Sequence, residues 1–452
     1  MKIENIYGYQ VFDSRGFPTV EAEVNLESGH RGRGTTPSGA SIGQYEALDL
    51  RDGGTGKFRG KSVYRSVANI NGEIAAALKG RSALDQTRVD DLLVTLDSTP
   101  DKSRLGANSI LAVSMAVATA AAAFENKLLY ERIGGGHGSL LPIPQTQIIG
   151  GGAHAAGRID LQDLTVLPIG ADTFEGALEV CFNIYQAAGD LLTRKGKRHG
   201  IADEGGYWPD FATNEEAIVF ALEAIEEAGY AAGIDASLSL DIAASGLFDR
   251  HSQEYCLRLD NHCYSSDEFA ELITQWCHRY PILSIEDPMA ENDWGGWKNI
   301  FGRIGQTTQI IGDDLFTTNY EKVQRGVRNG CANAVLIKLN QVGTVTETLH
   351  TIRLAQDSGW LPVISARSGE TEDTFIAHLA VATNAGQLKV GAFARSERTA
   401  KWNELIRIAR HLGPRAVYAG GTIFNKRKGE KEAIPKGLGQ GAGSSRSGSA
   451  SI

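Results

Sequence analysis

Between Pro281 and Gln341 the chain repeats one device three times: a short apolar run that stops at charged or amide residues. Ile282-Leu283-Ser284-Ile285 runs into Glu286-Asp287-Pro288, Gln309-Ile310-Ile311 into Gly312-Asp313-Asp314, and Ala334-Val335-Leu336-Ile337 into Lys338-Leu339-Asn340-Gln341. Upstream, Leu238-Ser239-Leu240 ends in Asp241. Apolar runs without polar alternation are strands covered on both faces, as in a parallel sheet. Their spacing leaves room for a helix between successive strands, which predicts an α/β fold of the (β/α)8 TIM-barrel type, with its chemistry gathered where strands end. Asp241, Glu286 and Asp313 are then expected to converge, with Lys338 beside them. Converging carboxylates repel unless a hard cation joins them, and oxygen ligands with open positions suit Mg²⁺.

A chain of 452 residues is expected to divide into two or more domains. Its net charge of −9 argues against a nucleic-acid binder, so an anionic substrate needs local cations or a metal to hold it. The cysteines Cys181, Cys256, Cys263, Cys277 and Cys331 are odd in number and scattered, with no CxxC pair. They read as reduced structural thiols of a cytoplasmic protein. Met1-Lys2-Ile3-Glu4 leads into a strand-like pattern with no apolar signal core. The longest apolar stretch, residues 110–124, is Ala-rich and too short to span a bilayer; it is expected to be a packed helix, with no membrane partner.

From the start, residues 3–28 alternate as strands do, and Glu27-Ser28-Gly29-His30 reads as a turn. Residues 35–43 are small and polar, the composition of a mobile loop able to close over a ligand. Helical periodicity covers 62–78 and 108–133, so strands followed by helices predict a smaller α+β domain over residues 1–135, with a Gly-rich linker at 134–138. A barrel over 140–428 opens with strands at 145–149 and 160–168, then helices from Thr173 and from the capping box Thr213-Asn214-Glu215-Glu216. Strands and helices alternate from there to a last helix at 399–411, giving about eight strands. Residues 429–452, rich in Gly and Ser, are expected to be disordered, and Lys426-Arg427-Lys428 to be a solvated basic surface.

The chemistry follows from the cluster. A lysine beside a dication has its ammonium form disfavoured, so Lys338 is expected to be neutral and to take a proton from a carbon next to a carboxylate. Metal ions stabilise the enolate that results. Glu204, in the Gly-flanked loop Asp203-Glu204-Gly205-Gly206, is placed to protonate a leaving group. Arg367-Ser368 and Lys389 are candidates to grip a phosphate.

The chain resembles the enolases over roughly residues 1–428. The blocks that carry the resemblance are Asp13-Ser14-Arg15-Gly16, Pro37-Ser38-Gly39-Ala40-Ser41, Gly151-Gly152-Ala153-His154, Asp203-Glu204-Gly205-Gly206-Tyr207, Ser284-Ile285-Glu286-Asp287-Pro288, Gly312-Asp313-Asp314-Leu315, Leu336-Ile337-Lys338 with Asn340-Gln341, and Arg367-Ser368-Gly369-Glu370. The resemblance implies Mg²⁺-dependent, reversible dehydration of 2-phosphoglycerate to phosphoenolpyruvate, a glycolytic step. It implies Lys338 as general base, Glu204 as general acid, and Asp241, Glu286 and Asp313 as ligands of one tightly held Mg²⁺. It implies Ser41 on the mobile loop as a contact to a second Mg²⁺ that arrives with substrate. His154, Gln162, Arg367, Ser368 and Lys389 match substrate contacts. An N-terminal α+β domain packed on a modified barrel, and a homodimer or larger assembly, are implied in the same way.

The departures from the enolase pattern gather at the site. Ala366 stands where a histidine is expected before the Arg-Ser pair, and Asp163 where a glutamate works beside the general acid. Gly150 and Gly157 replace asparagines, Ile42 a threonine and Phe17 an asparagine. Ala366 removes a donor near the phosphate, and Asp163 draws a carboxylate back by one methylene. Two alternatives follow: a paralogue acting on a related phosphono acid, of the carboxyphosphonoenolpyruvate synthase type in phosphonate biosynthesis, or a catalytically silent binding protein. The intact metal ligands and base argue against the silent protein.

Overall fold

The structure is a computed structural model that describes residues 1–40 and 43–427. Ser41 and Ile42, and the Gly/Ser-rich tail from 428 onward, lie outside the described residues. The alternation in residues 3–28 folds as two strands, Ile3–Phe12 and Pro18–Leu26. Asp13 builds the turn between them by accepting the Arg15 and Phe17 N–H groups, each at 2.9 Å. A third strand, Arg31–Thr35, completes the antiparallel sheet where only turn and loop are expected from the sequence. Its alternate residues are glycines for a steric reason. A Cβ on Gly32 would lie 2.1 Å from the Ala120 nitrogen, and one on Gly34 2.6 Å from the Ala112 oxygen, so only glycine lets the strand rest on the helix behind it.

That helix, Ala107–Phe124, is apolar all round because it is buried all round. Ile110, Val113 and Val117 join the core of the N-terminal sheet, while Leu111, Met115 and Ala118 join the barrel core. It is long and apolar enough to cross a membrane by composition, but 83% of it is buried inside the protein. It stops at Phe124 and a separate helix covers Leu129–Ile133, so the continuous helix expected over 108–133 is broken, with Asn126 in the left-handed region between the two. A further helix, Gln86–Asp97, capped by the Asp85 side chain, is not anticipated by the sequence pattern.

Eight strands close into a barrel. In spatial order they are Ile282–Glu286, Gln309–Gly312, Ala334–Ile337, Leu361–Ser365, Gln387–Gly391, Ile143–Gly150, Asp163–Leu167 and Ser237–Asp241. All are parallel except Asp163–Leu167, which runs antiparallel to both neighbours. The reversal decides which of its residues reaches the site. At the end of the barrel where other strands present their last residue, this one presents its first, and Asp163 lies opposite Asp241 on one side and Gly150 on the other. The expected run of two strands and two helices at the start of the barrel is present. The second of those helices, Asn214–Glu227, has half of its capping box: Thr213 accepts the Glu216 N–H, but the Glu216 carboxylate accepts from Ala212 and not from Thr213.

After Asp241 the chain leaves the barrel through three short strands, Phe248–Asp249, Glu254–Leu257 and His262–Tyr264. Cys256 and Cys263 face each other across the last two and form a disulfide, with Cα atoms 4.0 Å apart. This corrects the expectation that all five cysteines are reduced. Pairing depends on closeness in space, and the antiparallel register supplies it without CxxC spacing. Cys181, Cys277 and Cys331 are free thiols.

Candidate active site

Several strand ends deliver charged groups to the same face of the barrel, among them Asp163, Asp241, Glu286, Asp313, Lys338 and Lys389. Asp241 and Glu286 are register partners on adjacent parallel strands. Lys389, on the strand Gln387–Gly391, points between them: its Nζ lies 2.9 Å from Asp241 Oδ2, 2.7 Å from Glu286 Oε2 and 3.3 Å from Asp163 Oδ2. Lys338, which follows the strand Ala334–Ile337, has its Nζ 2.5 Å from Asp313 Oδ2, and Asp313 Oδ1 accepts from Gln341 Nε2 at 2.8 Å. All of these groups are buried or nearly so.

Burial sets the electrostatics, and the neighbours decide the outcome. Burial, followed by the Asp241 charge, pushes the Glu286 carboxyl well above the usual range. Burial opposes the ammonium form of Lys338, but Asp313 outweighs it and raises the lysine above its ordinary value. Asp313, sitting against Lys338, thus favours the ammonium form when the protein's own groups act alone. The neutral base expected from the sequence is that of a lysine beside a dication, whose charge disfavours the ammonium.

A second group of side chains comes from the reversed strand and the loops beside it. His154 Nδ1 lies 3.0 Å from Asp163 Oδ1, and His154 Nε2 lies 4.0 Å from Glu204 Oε1. Gln147 also donates to Asp163 Oδ1. Burial opposes charge on His154, but Asp163 and then Glu204 outweigh it and raise the imidazole to about 9. The Asp163 carboxyl is also penalised by burial, yet His154 and Lys389 hold it below the usual range. Burial, then the Asp163 charge, raise Glu204 above the usual carboxylate value, which favours its protonated form. Two acids on one wall are therefore pushed in opposite directions, the arrangement that separates an acid from a charged partner.

Arg367 and Ser368 follow the strand Leu361–Ser365. The Arg367 guanidinium grips Glu46 of the N-terminal domain at 2.7 and 3.2 Å and donates to Asn340 Oδ1 at 3.0 Å. Ser368 Oγ accepts from the Ala40 N–H at 2.6 Å, and Gln162 Nε2 donates to Asp241 Oδ2 at 3.1 Å. One cavity is lined by His154, Gln162, Asp163, Glu204, Asp241, Lys338, Arg367, Ser368 and Lys389, with Ala366 in its wall. Asp313 lines a second cavity that shares Gln162 and Asp241 with the first. Glu286 reaches the group through Lys389.

The carboxylates fit a hard cation in charge but are held apart by lysine. Among the described residues, the sets whose ligand atoms lie within 4.8 Å of one another are His154–Asp163–Glu204 and Asp287–Asp313–Asp314, and not the expected Asp241–Glu286–Asp313. The expected trio is split because Lys389 bridges Asp241 and Glu286 while Lys338 takes Asp313. Glu286 Oε1 is buried without a hydrogen-bond partner, a ligand atom with nothing to bind. That orphaned oxygen, in an all-oxygen set, is the observation that fits a divalent cation. Asp287 shapes the backbone instead, accepting the N–H groups of Asp313 and Asp314 at 2.8 and 2.9 Å and so fixing their turn.

Glu46, Gln147 and Asp287 escape assignment from the sequence. Gln147 carries a signal in hindsight, as an amide inside a fully buried strand. Glu46 carries none, since its partner lies 321 residues away.

The profile described as the enolase N-terminal domain matches residues 3–133, and that of the enolase C-terminal TIM barrel domain matches residues 138–427. Enolase 1 of Desulfitobacterium hafniense (strain Y51) is 49% identical over 424 residues, which cover 94% of this chain and 97% of that protein. With both domains matched and the barrel-end cluster in place, the chain belongs to the enolase family of lyases.

Proposed function

We propose that the chain interconverts 2-phosphoglycerate and phosphoenolpyruvate, with Lys338 as the base and Glu204 as the acid. The observation that carries this reading is the single cavity that holds both, beside a carboxylate with an orphaned oxygen. Lys338 Nζ takes the proton from the carbon next to the substrate carboxylate. The C–O bond to the hydroxyl then breaks as the C=C bond forms, and the Glu204 proton leaves with the hydroxyl as water. The raised Glu204 value supports a protonated donor. Asp163 keeps His154 charged and oriented, and these two, with Gln162, face the substrate from the Glu204 side. Arg367 and Ser368 hold the phosphate, and Lys389 contributes positive charge to the substrate anion.

Asp241, Glu286 and Asp313 would hold the tightly bound Mg²⁺, and Ser41 would contact a second. When bound, Mg²⁺ supplies positive charge to the enolate and competes with the lysines for these carboxylates. Residues 1–135 serve as the capping domain and 140–428 as the catalytic barrel. A cytoplasmic, glycolytic enzyme that forms a homodimer or larger assembly is included on the family alone. The phosphono-acid alternative is not favoured, because the 49% identical relative is itself named an enolase. The test is ultraviolet absorbance of the enol acid formed from 2-phosphoglycerate. Turnover is expected with Mg²⁺, none with a chelator, and none for Lys338→Ala; an inactive wild type with saturating Mg²⁺ sinks the reading.

A further inference from the structure

The helix Ser396–Leu412 places two fully buried cations, Arg398 and Lys401, behind the phosphate-binding end of the site. Arg398 Nη1 donates to the carbonyl oxygens of Arg367 at 2.7 Å and Val390 at 2.9 Å, and Nη2 donates to that of Ser368 at 2.6 Å. Its carboxylate contact is looser, with Glu397 Oε1 3.4 Å from Nε. A buried guanidinium committed to three main-chain carbonyls is costly unless the backbone it holds must be held.

The three carbonyls define what is held. Two belong to successive peptides at the end of the strand Leu361–Ser365, and fixing both fixes the directions in which the Arg367 and Ser368 side chains leave the backbone. The third belongs to Val390, next to Lys389 on the adjacent strand, and Ala366 N–H donates to the Lys389 carbonyl at 2.8 Å. One planar fork thus ties together the strand ends that bear Arg367, Ser368 and Lys389. Lys401 completes the clamp by donating to Glu370 Oε2 at 2.9 Å and to the Thr371 carbonyl at 2.5 Å, while Glu370 Oε1 accepts the Arg367 N–H at 3.1 Å. The loop is held from behind through main-chain atoms and Glu370, with no contribution from the side chain at position 366.

We propose that Arg398 is a positioning residue for anion recognition: it touches no substrate but sets the aim of Arg367 and Ser368. The inference rests on the assignment of those two residues to the phosphate. Lysine is a poor substitute, because one ammonium cannot span three carbonyls in one plane.

The test compares Arg398→Met, Arg398→Lys and Leu405→Ala, the last being a cavity at a fully buried position of the same helix. Arg398→Met is expected to raise KM for 2-phosphoglycerate about tenfold or more, with a smaller fall in kcat and an unchanged pH profile. Arg398→Lys is expected to recover part of the loss. Leu405→Ala is expected to lower the melting temperature while leaving KM alone. An unchanged KM in Arg398→Met, or an equal rise in Leu405→Ala, overturns the proposal. If the wild type proves inactive, the functional reading fails by itself. Calorimetric titration with inorganic phosphate then decides: weaker binding by Arg398→Met and Arg398→Lys than by wild type and Leu405→Ala supports the clamp, and equal binding by all four overturns it.

Discussion

Asp163 and Asp241 face each other across an antiparallel pairing at the barrel mouth, and the Lys389 ammonium lies 3.3 Å from the first and 2.9 Å from the second. Two buried carboxylates in register, with Glu286 as a third, are compensated by that cation, and Asp163 by His154 as well. Lys389→Met is therefore expected to destabilise the metal-free protein by about 3–5 kcal/mol, the range for removing one partner of a buried ion pair. Thermal melts with chelator and with Mg²⁺ check this. The variant is expected to gain more from Mg²⁺ than the wild type does, since its carboxylates no longer have a competing ammonium. A Lys389→Met protein as stable as wild type in chelator rules out this role.

His154 gives the protein a pH-dependent stability with a defined sign. Its imidazole is raised from the ordinary 6.5 to about 9 in the folded state. A group with a raised folded value stabilises fully below its unfolded value and loses that contribution as pH rises through the folded one. The metal-free wild type is expected to lose stability between about pH 6.5 and 9, and His154→Gln to lose much less over that span. Denaturant titrations across this range measure the difference. Parallel curves for the two proteins exclude a charged, Asp163-paired imidazole.

The strand-end acids and Lys338 are legible in the sequence because a strand buried on both faces must be apolar until it leaves the core. The point where Ile285 gives way to Glu286, or Ile337 to Lys338, is where the barrel stops. The same logic is blind to direction. Nothing in Asp163-Leu164-Thr165-Val166-Leu167 says that the strand runs backwards, so its pairing of Asp163 with Asp241 emerges only in three dimensions. Contacts between distant segments are equally silent, as Glu46 with Arg367 and Arg398 with the carbonyls of Arg367 and Ser368 show, and the nearby Cys256 and Cys263 pair through a hairpin register that no CxxC spacing announces. The strand Arg31–Thr35 is hidden for another reason, since its glycines answer to the helix behind it and remove the usual apolar alternation.

Glu204 and Lys338 are expected to separate the two halves of the reaction. Glu204→Gln keeps the shape of the wall but has no proton to give, so dehydration should fall about 10²–10⁴-fold. Lys338 is untouched by the change, and exchange of the substrate's C2 proton with deuterated solvent should persist. Proton NMR of 2-phosphoglycerate in heavy water reads both at once. Dehydration near the wild-type rate in Glu204→Gln removes Glu204 from the acid role.

The Cys256–Cys263 bridge closes a short loop on the excursion after Asp241. A loop of this size is expected to contribute about 2 kcal/mol through the unfolded chain. The double variant Cys256→Ser, Cys263→Ser should melt at a lower temperature, and a thiol reductant should lower the wild type to nearly the same point. A reductant with no effect on the wild type, beside a destabilised double variant, locates the loss in side-chain packing and not in the bridge.

Ala366 is the departure that bears most directly on substrate. Its methyl group lines the cavity beside Arg367, where the family resemblance leads one to expect a histidine. The local backbone does not depend on that side chain, because Ala366 N–H, Arg398 and Lys401 hold the loop through main-chain atoms. Arg367 remains anchored by Glu46 and Asn340, and Lys389 lies on the next strand. The cations proposed to meet the substrate anion, Arg367 and Lys389, are therefore in place without residue 366, and on that assignment wild-type turnover of 2-phosphoglycerate is expected to be robust. Ala366→His should then change kcat/KM for that substrate by less than about tenfold, since it adds one donor to a site already supplied with them. Steady-state kinetics of the two proteins side by side measures this. A wild type slower by orders of magnitude and restored by the histidine would mean that the space opened at position 366 serves a bulkier anion, and that the pocket has been turned to another substrate.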